Sequence, residues 1–178
     1  MATGKNLERA AMKSAPQQEN PSALPAPSSP PASQPLPAGL DAMLCFAIYG
    51  AAHAFTRTYK PLLEPLGLTY PQYLVMMTLW EEDAATVKQL GDRLGLDSGT
   101  LSPLIKRLEL SGLLTRRRNS QDERQVNVHL TDAGLAMKQE AVGVMSAIGK
   151  ATGCTREEAN AMLEELVGLK ERLLKAGE

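Results

Sequence analysis

The chain has 178 residues, 43% of them hydrophobic and 22% charged, and a formal net charge of −1. That suffices for one core of ordinary size and gives no sign of a second independent domain. Two cysteines exclude a disulfide scaffold, no apolar run approaches the roughly 20 residues that span a bilayer, and the basic N-terminus (Lys5, Arg9, Lys13) leads into polar, proline-rich sequence instead of an apolar signal core, so a cytoplasmic protein without membrane contact is expected.

In chain order, residues 1–38 read as a disordered Pro/Ser/Ala-rich tail, because they offer no apolar period to set against the entropy of ordering. A domain over 39–178 follows. Its first helix is predicted to start near Gly39 to Asp41 and to run to Tyr59, with Leu44, Ile48, Ala51, Ala52 and Phe55 on one stripe. Within it, Cys45 stands four residues before Tyr49 in the run Met43-Leu44-Cys45-Phe46-Ala47-Ile48-Tyr49. Such a cysteine is either a small buried hydrophobe or a candidate sensor thiol. Pro61 and Pro65 are expected to break the chain into short pieces. A second helix should open at Thr69 or Tyr70, with Pro71 in its first turn, and Tyr73 to Trp80 is apolar nearly all round and so belongs to the core.

A helix-turn-helix pattern comes next. Thr86 to Leu94 is a short amphipathic helix, Gly95 is placed for a left-handed stop, Leu96 is an apolar plug, and Asp97 or Ser98 caps a second helix over Gly99 to Ser111. Leu101, Leu104, Ile105 and Leu108 can face the core, which leaves Ser98, Thr100, Ser102, Pro103, Lys106 and Arg107 on other faces. Small hydroxyls at the start of a helix with bases further along suit entry into a DNA major groove. Leu113 to Arg118 and Gln125 to Leu130 alternate as the strands of a hairpin wing. Side chains alternate along a strand, so Arg116, Arg117 and Arg118 cannot all face DNA, and Arg116 and Arg118 are the candidates. Thr131 caps a long helix towards Ile148, and Thr155-Arg156-Glu157-Glu158 is a capping box for a last helix through Met162, Leu163, Leu166, Leu169 and Leu173. The eight methionines are most simply core filler.

Charge is unevenly spread. Pro103 to Leu130 carries six bases (Lys106, Arg107, Arg116, Arg117, Arg118, Arg124) against three acids, whereas Thr155 to Glu178 carries four bases against six acids. Basic character sits where a nucleic-acid contact would need it.

The order of two helices, a helix-turn-helix, a wing with Asp122-Glu123-Arg124 at its tip and two long terminal helices resembles the MarR family of winged-helix transcription regulators, over about residues 40–176. Four strings resemble its organic hydroperoxide resistance regulators (OhrR): Leu44-Cys45-Phe46-Ala47-Ile48-Tyr49, Tyr59-Lys60-Pro61-Leu62-Leu63, Leu68-Thr69-Tyr70-Pro71-Gln72-Tyr73-Leu74 and Leu96-Asp97-Ser98-Gly99-Thr100-Leu101. The resemblance implies a mainly α (α+β) fold, with a DNA-binding part at about 69–130 and dimerisation helices at about 40–60 and 131–176. It further implies a homodimer that sets two winged helices on successive major grooves of pseudo-palindromic operator DNA, about 34 Å apart.

By the same resemblance Cys45 is the thiol oxidised by an organic hydroperoxide, the inducer. Tyr59 and Tyr70 reach it from the partner subunit, and Tyr49 lies nearby. A helix N-terminus and phenolic donors favour an ionised sulfur, while Asp41 upstream opposes it, and sequence leaves the balance open. Cys154, between the terminal helices, matches the resolving cysteine of the two-cysteine class, which bridges to the sensing cysteine of the other subunit. An uninvolved loop thiol is the alternative there. Arg124 matches the wing residue that enters the minor groove, with Asp122 orienting it.

The implied protein is a regulator and not an enzyme, and no cofactor is implied. Two rival readings are a MarR-type regulator released by a small aromatic ligand and a thiol peroxidase. No metal is expected, because His53 and His129 are the only histidines and neither lies at ligand spacing from a cysteine.

Overall fold

The computed structural model describes residues 39–118 and 125–177. The proline-rich tail and the wing tip with Asp122 and Arg124 lie outside the described residues. A 3-10 turn over Leu40–Ala42 and an extended Met43 lead into α1 (Leu44–Leu63). Asp41 therefore belongs to that turn and not to the helix of Cys45. The helix continues through Pro61, past the expected stop at Tyr59. Its last residue, Leu63, is fully buried. Burying a leucine contributes roughly 1.5–3 kcal/mol, which offsets the backbone bond that Pro61 removes in the final turn. Pro65 instead opens a 3-10 turn over Glu64–Leu66 that closes on left-handed Gly67.

α2 (Tyr70–Glu81) is the hub. The Thr69 backbone N–H donates to Gln72 Oε1 at 2.9 Å, and Pro71 occupies the first turn, where its missing donor costs nothing. Seven of its residues are buried, because it packs against α1, α3 (Val87–Leu94), α4 (Ser98–Leu110) and α5 (Asp132–Thr152). Thr86 caps α3, with its backbone N–H donating to Gln89 Oε1 at 2.7 Å, and Gly95 stops it at φ +66°. The α4 cap is Asp97, whose Oδ1 accepts from the Thr100 N–H at 2.9 Å. Leu101, Ile105 and Leu108 are buried and Leu104 is half-buried, while Leu96 packs against the core from the turn.

The wing is an antiparallel pair, β1 (Leu114–Arg118) and β2 (Val126–Leu130), with Leu114 opposite Leu130 and Arg118 opposite Val126. Its base is tied down from several directions. The Val128 N–H donates to Ala85 O at 2.9 Å, the Leu130 N–H to Asp83 Oδ1 at 2.8 Å, and the Thr131 hydroxyl to Gly112 O at 2.6 Å. Trp80 Nε1 donates to the carbonyl of Gly134 at 2.8 Å, which fixes the start of α5 on the hub. Gly134 is confined there, since an added β-carbon would lie 2.0 Å from Leu113 O.

α5 extends beyond the expected Ile148 to Thr152, ending at left-handed Gly153, and α6 (Arg156–Ala176) starts from the Thr155/Glu158 capping box. None of the residues of α6 is buried. The architecture is the mainly helical winged helix-turn-helix expected, with one two-stranded sheet among the described residues. No described helix is long and apolar enough to cross a membrane.

Candidate functional site

Cys45 is the second residue of α1, and its thiol is exposed and free. The reading of Cys45 as a small buried hydrophobe therefore fails within the chain. The surrounding face is apolar yet uncovered: Leu44, Tyr49 and Phe55 are exposed, and Tyr49 lies between Phe46, near-parallel at 6.4 Å between ring centroids, and His53, tilted by 57° at 4.3 Å. Val142 and Met145 on α5 and Met162, Leu163, Leu166, Val167, Leu173 and Leu174 on α6 are likewise exposed. So large an uncovered apolar area marks an interaction surface.

Tyr59 and Tyr70 lie elsewhere. Their ring centroids are 4.5 Å apart, and Tyr73 follows at 5.8 Å from Tyr59 and 6.1 Å from Trp80. Burial, with Tyr70 and Tyr73 adding to it, pushes the Tyr59 hydroxyl up to about 12, and burial raises Tyr70 and Tyr73 as well. All three therefore stay protonated donors at neutral pH. Fourteen residues of helix separate Cys45 from Tyr59, about 21 Å along the axis. One chain brings Tyr49 close to Cys45 but not Tyr59 or Tyr70.

Cys154 sits in the turn between α5 and α6, half-buried, with Sγ 3.5 Å from the Thr152 carbonyl. It shares an apolar cleft of about 300 Å³ with Ala51, Ala54, Phe55 and Thr58 of α1, Ile148 of α5 and Met162 of α6. The turn is thus applied to the middle of α1, several helical turns from Cys45.

The second face belongs to α4 and the wing. Ser98, Thr100, Ser102, Pro103, Lys106 and Arg107, which the sequence places off the core face, are all exposed on α4. Two of the hydroxyls are already donating within the helix, Thr100 to Asp97 Oδ2 at 2.8 Å and Ser102 to the Ser98 carbonyl at 2.6 Å. They remain able to accept but not to donate elsewhere without rearranging. Lys106 and Arg107 have no ion-pair partner among the described residues. Arg118 is exposed near the end of β1.

Arg116 is committed. Its Nε donates to Glu109 Oε2 at 2.9 Å, its terminal nitrogen lies 2.7 Å from the same oxygen, and its backbone N–H donates to Glu109 Oε1 at 3.1 Å. These bonds hold the Glu109 carboxyl below its usual range. Sequence reasoning missed this brace between α4 and the wing. The signal available was a glutamate at the end of one helix and an arginine seven residues on, with Gly112 folding the chain back between them. The methionines were misplaced too: Met76 is buried, but Met43, Met145 and Met162 are exposed.

A helix-turn-helix with a basic outer face, braced to a two-stranded wing, defines a winged-helix transcription regulator. Comparison with known proteins agrees. Residues 57–141 match the family described as transcriptional regulator SarA/Rot. The HTH-type transcriptional regulator TtmR of Methylorubrum extorquens is 50% identical over 137 residues, 77% of this chain and 70% of that protein. The organic hydroperoxide resistance transcriptional regulator of Bacillus subtilis is 48% identical over 109 residues, 61% of this chain and 74% of that protein. Among solved structures, reduced AbfR bound to DNA is 38% identical with a TM-score of 0.63, covering 74% of this chain and 91% of that one. AbfR, a Staphylococcus epidermidis protein, is also known overoxidized and bound to DNA, and in a disulfide-formed state. The chain belongs to the MarR family of winged-helix transcriptional regulators, in its organic hydroperoxide resistance branch.

Proposed function

We propose that this protein is a cytoplasmic, redox-sensing repressor. Its reduced homodimer binds pseudo-palindromic operator DNA and leaves it once an organic hydroperoxide has oxidised Cys45. The observation that carries the reading is the free, exposed thiol of Cys45 at the start of α1, on an apolar face that its own chain leaves bare. Covering that face with a second copy gives the uncovered parts of α1, α5 and α6 a partner, and gives Cys45 access to the phenols of Tyr59 and Tyr70 from the other subunit.

The chemistry is direct. The Cys45 thiolate attacks one peroxide oxygen, the O–O bond breaks, and the alcohol leaves as sulfenic acid forms. Cys154 of the partner subunit then attacks that sulfur, and a disulfide forms with loss of water. Geometry favours a bridge between subunits over one within a chain. A disulfide needs Cα atoms within about 7 Å. The turn of Cys154 faces Ala51 to Thr58, which centres about 14 Å along the axis from Cys45 at 1.5 Å per residue. That AbfR is known DNA-bound in both reduced and overoxidized forms, and separately in a disulfide-formed state, supports the disulfide as the releasing species.

Cys154→Ser is expected to abolish the covalent dimer that wild type forms on a non-reducing gel after one equivalent of cumene hydroperoxide, while leaving Cys45 sulfenic acid trappable by dimedone. A covalent dimer that persists would remove the bridge from the scheme. On the DNA face, Arg124 in the minor groove with Asp122 orienting it, Lys106 and Arg107 on α4 and Arg118 on the wing are the proposed contacts. Lys106→Ala is expected to weaken operator binding evenly across sequences and to lower the slope of log affinity against log salt by about 1. An unchanged slope would take Lys106 off the phosphate backbone.

A further inference from the structure

Three prolines lie inside the described α-helices, and two of them have a local reason. Pro71 occupies the first turn of α2, where no donor is missed, and Pro61 stands in the last turn of α1, just before buried Leu63. Pro103 has neither excuse. It is the sixth residue of α4, so the Gly99 carbonyl lacks the N–H that would close that turn, and the ring crowds the same carbonyl. The side chain is exposed and belongs to no part of the core. An alanine would restore the bond and keep every buried contact, so within its own chain this proline only weakens the helix.

Its position shows what it can serve. At about 100° per residue, Pro103 points almost directly away from Leu101 and Ile105, which are buried, and so stands on the crest of the outer face of α4. One turn before it, Gly99 projects nothing, and a β-carbon there would stand 3.0 Å from the capping Oδ1 of Asp97. On either flank, Thr100 and Ser102 have committed their hydroxyl protons to Asp97 Oδ2 and the Ser98 carbonyl. The crest therefore offers a base edge a saturated ring framed by acceptors. Thymine alone brings such a ring an apolar partner in the major groove, its C5-methyl group.

We propose that Pro103 is a specificity-determining residue that reads one thymine in each operator half-site, by packing its ring on the C5-methyl group. The proposal rests on the operator-binding reading above and adds the base group that α4 recognises. Ring and methyl leave water together, in a contact that exists only in the complex. A closed ring has almost no rotamer freedom to lose on docking, unlike a leucine or methionine in its place. The flanking acceptors suit the adenine amine of the same base pair, whereas the O6 and N7 of a guanine would meet no hydroxyl donor there.

The probe is a duplex pool with a randomised segment of about 30 base pairs, three helical turns, from which reduced full-length wild type selects its own operator. That duplex is remade with deoxyuridine for thymine, one symmetric pair of positions at a time. Deoxyuridine keeps every hydrogen-bonding group of thymine and lacks only the methyl. Losing one buried methyl contact is about fourfold in affinity, so wild type should lose roughly 15-fold at one symmetric pair, read by fluorescence anisotropy. Pro103→Ala keeps the β-carbon without the outer ring, and at that pair it should bind the two duplexes within about twofold of each other. Its Tm should rise by roughly 5 °C, since the helix regains its bond. The absence of any sensitive thymine pair, a Pro103→Ala protein that keeps the wild-type penalty, or one that melts below wild type would overturn this proposal while operator binding stands. Failure of wild type to enrich any sequence would overturn both.

Discussion

Cys45→Ser is expected to bind operator DNA with wild-type affinity and to stay bound after organic hydroperoxide. The side chain is exposed at the first turn of α1 and packs into nothing within its chain, so the exchange of sulfur for oxygen should shift stability by no more than about 0.5 kcal/mol. A serine hydroxyl is not ionised near neutral pH and does not displace an alkoxide from a peroxide. The wild-type dimer should lose on the order of 10- to 100-fold in operator affinity after one equivalent of cumene hydroperoxide, the range of a coupling between two sites. The variant should lose none. Fluorescence anisotropy on a labelled operator duplex, before and after oxidant and again after dithiothreitol, measures all three states. Release of the serine variant at the wild-type dose would mean that another group senses the peroxide.

The largest structural effect is expected at Gly134. Its carbonyl receives Trp80 Nε1 and its N–H donates to Thr131 Oγ1 at 3.0 Å, so the residue cannot retreat from its place. A β-carbon there would overlap the Leu113 carbonyl at 2.0 Å and crowd Leu130 Cδ2 at 3.3 Å. Gly134→Ala must therefore shift the start of α5 away from the wing base. It should cost about 2–4 kcal/mol, through overpacking and at least one broken buried hydrogen bond, and lower Tm by roughly 10 °C. Gly143→Ala, in the same helix with nothing within 4 Å of the added carbon, should stay within about 1 kcal/mol of wild type. Comparable melting curves for the two variants would contradict the packing described at the wing base.

Much of this fold was legible because its punctuation is local. Thr69, Thr86, Asp97, Thr131 and Thr155 each cap a helix through their own side chain or that of the residue three positions on, and Gly95 needs only its own left-handed backbone. Such features depend on neighbours a few residues away, which sequence displays. The passage of α1 through Pro61 depends on Leu63 finding the core, a tertiary reward that overrides a local penalty. The exposed methionines escaped for another reason, whereas the bare face of α6 was anticipated only through the family resemblance, which implied dimerisation helices at about 131–176. An apolar stripe at helical spacing looks the same whether its counterpart is the chain's own interior or a second molecule. The Glu109–Arg116 brace required knowing how Gly112 redirects the chain. Of the candidate site, the residues at the two ends of α1 were legible, and their separation along the helix became meaningful only with the geometry.

α6 has one further implication. In the proposed homodimer α6, none of whose 21 residues is buried within its own chain, draws much of its order from association, so ordering this helix and pairing the molecules are linked equilibria. Dilution then acts like a denaturant. A cell holding few copies of that dimer would own a regulator that is frailer to heat as well as scarcer, and under the proposed repression abundance itself would set how firmly the gene is kept silent.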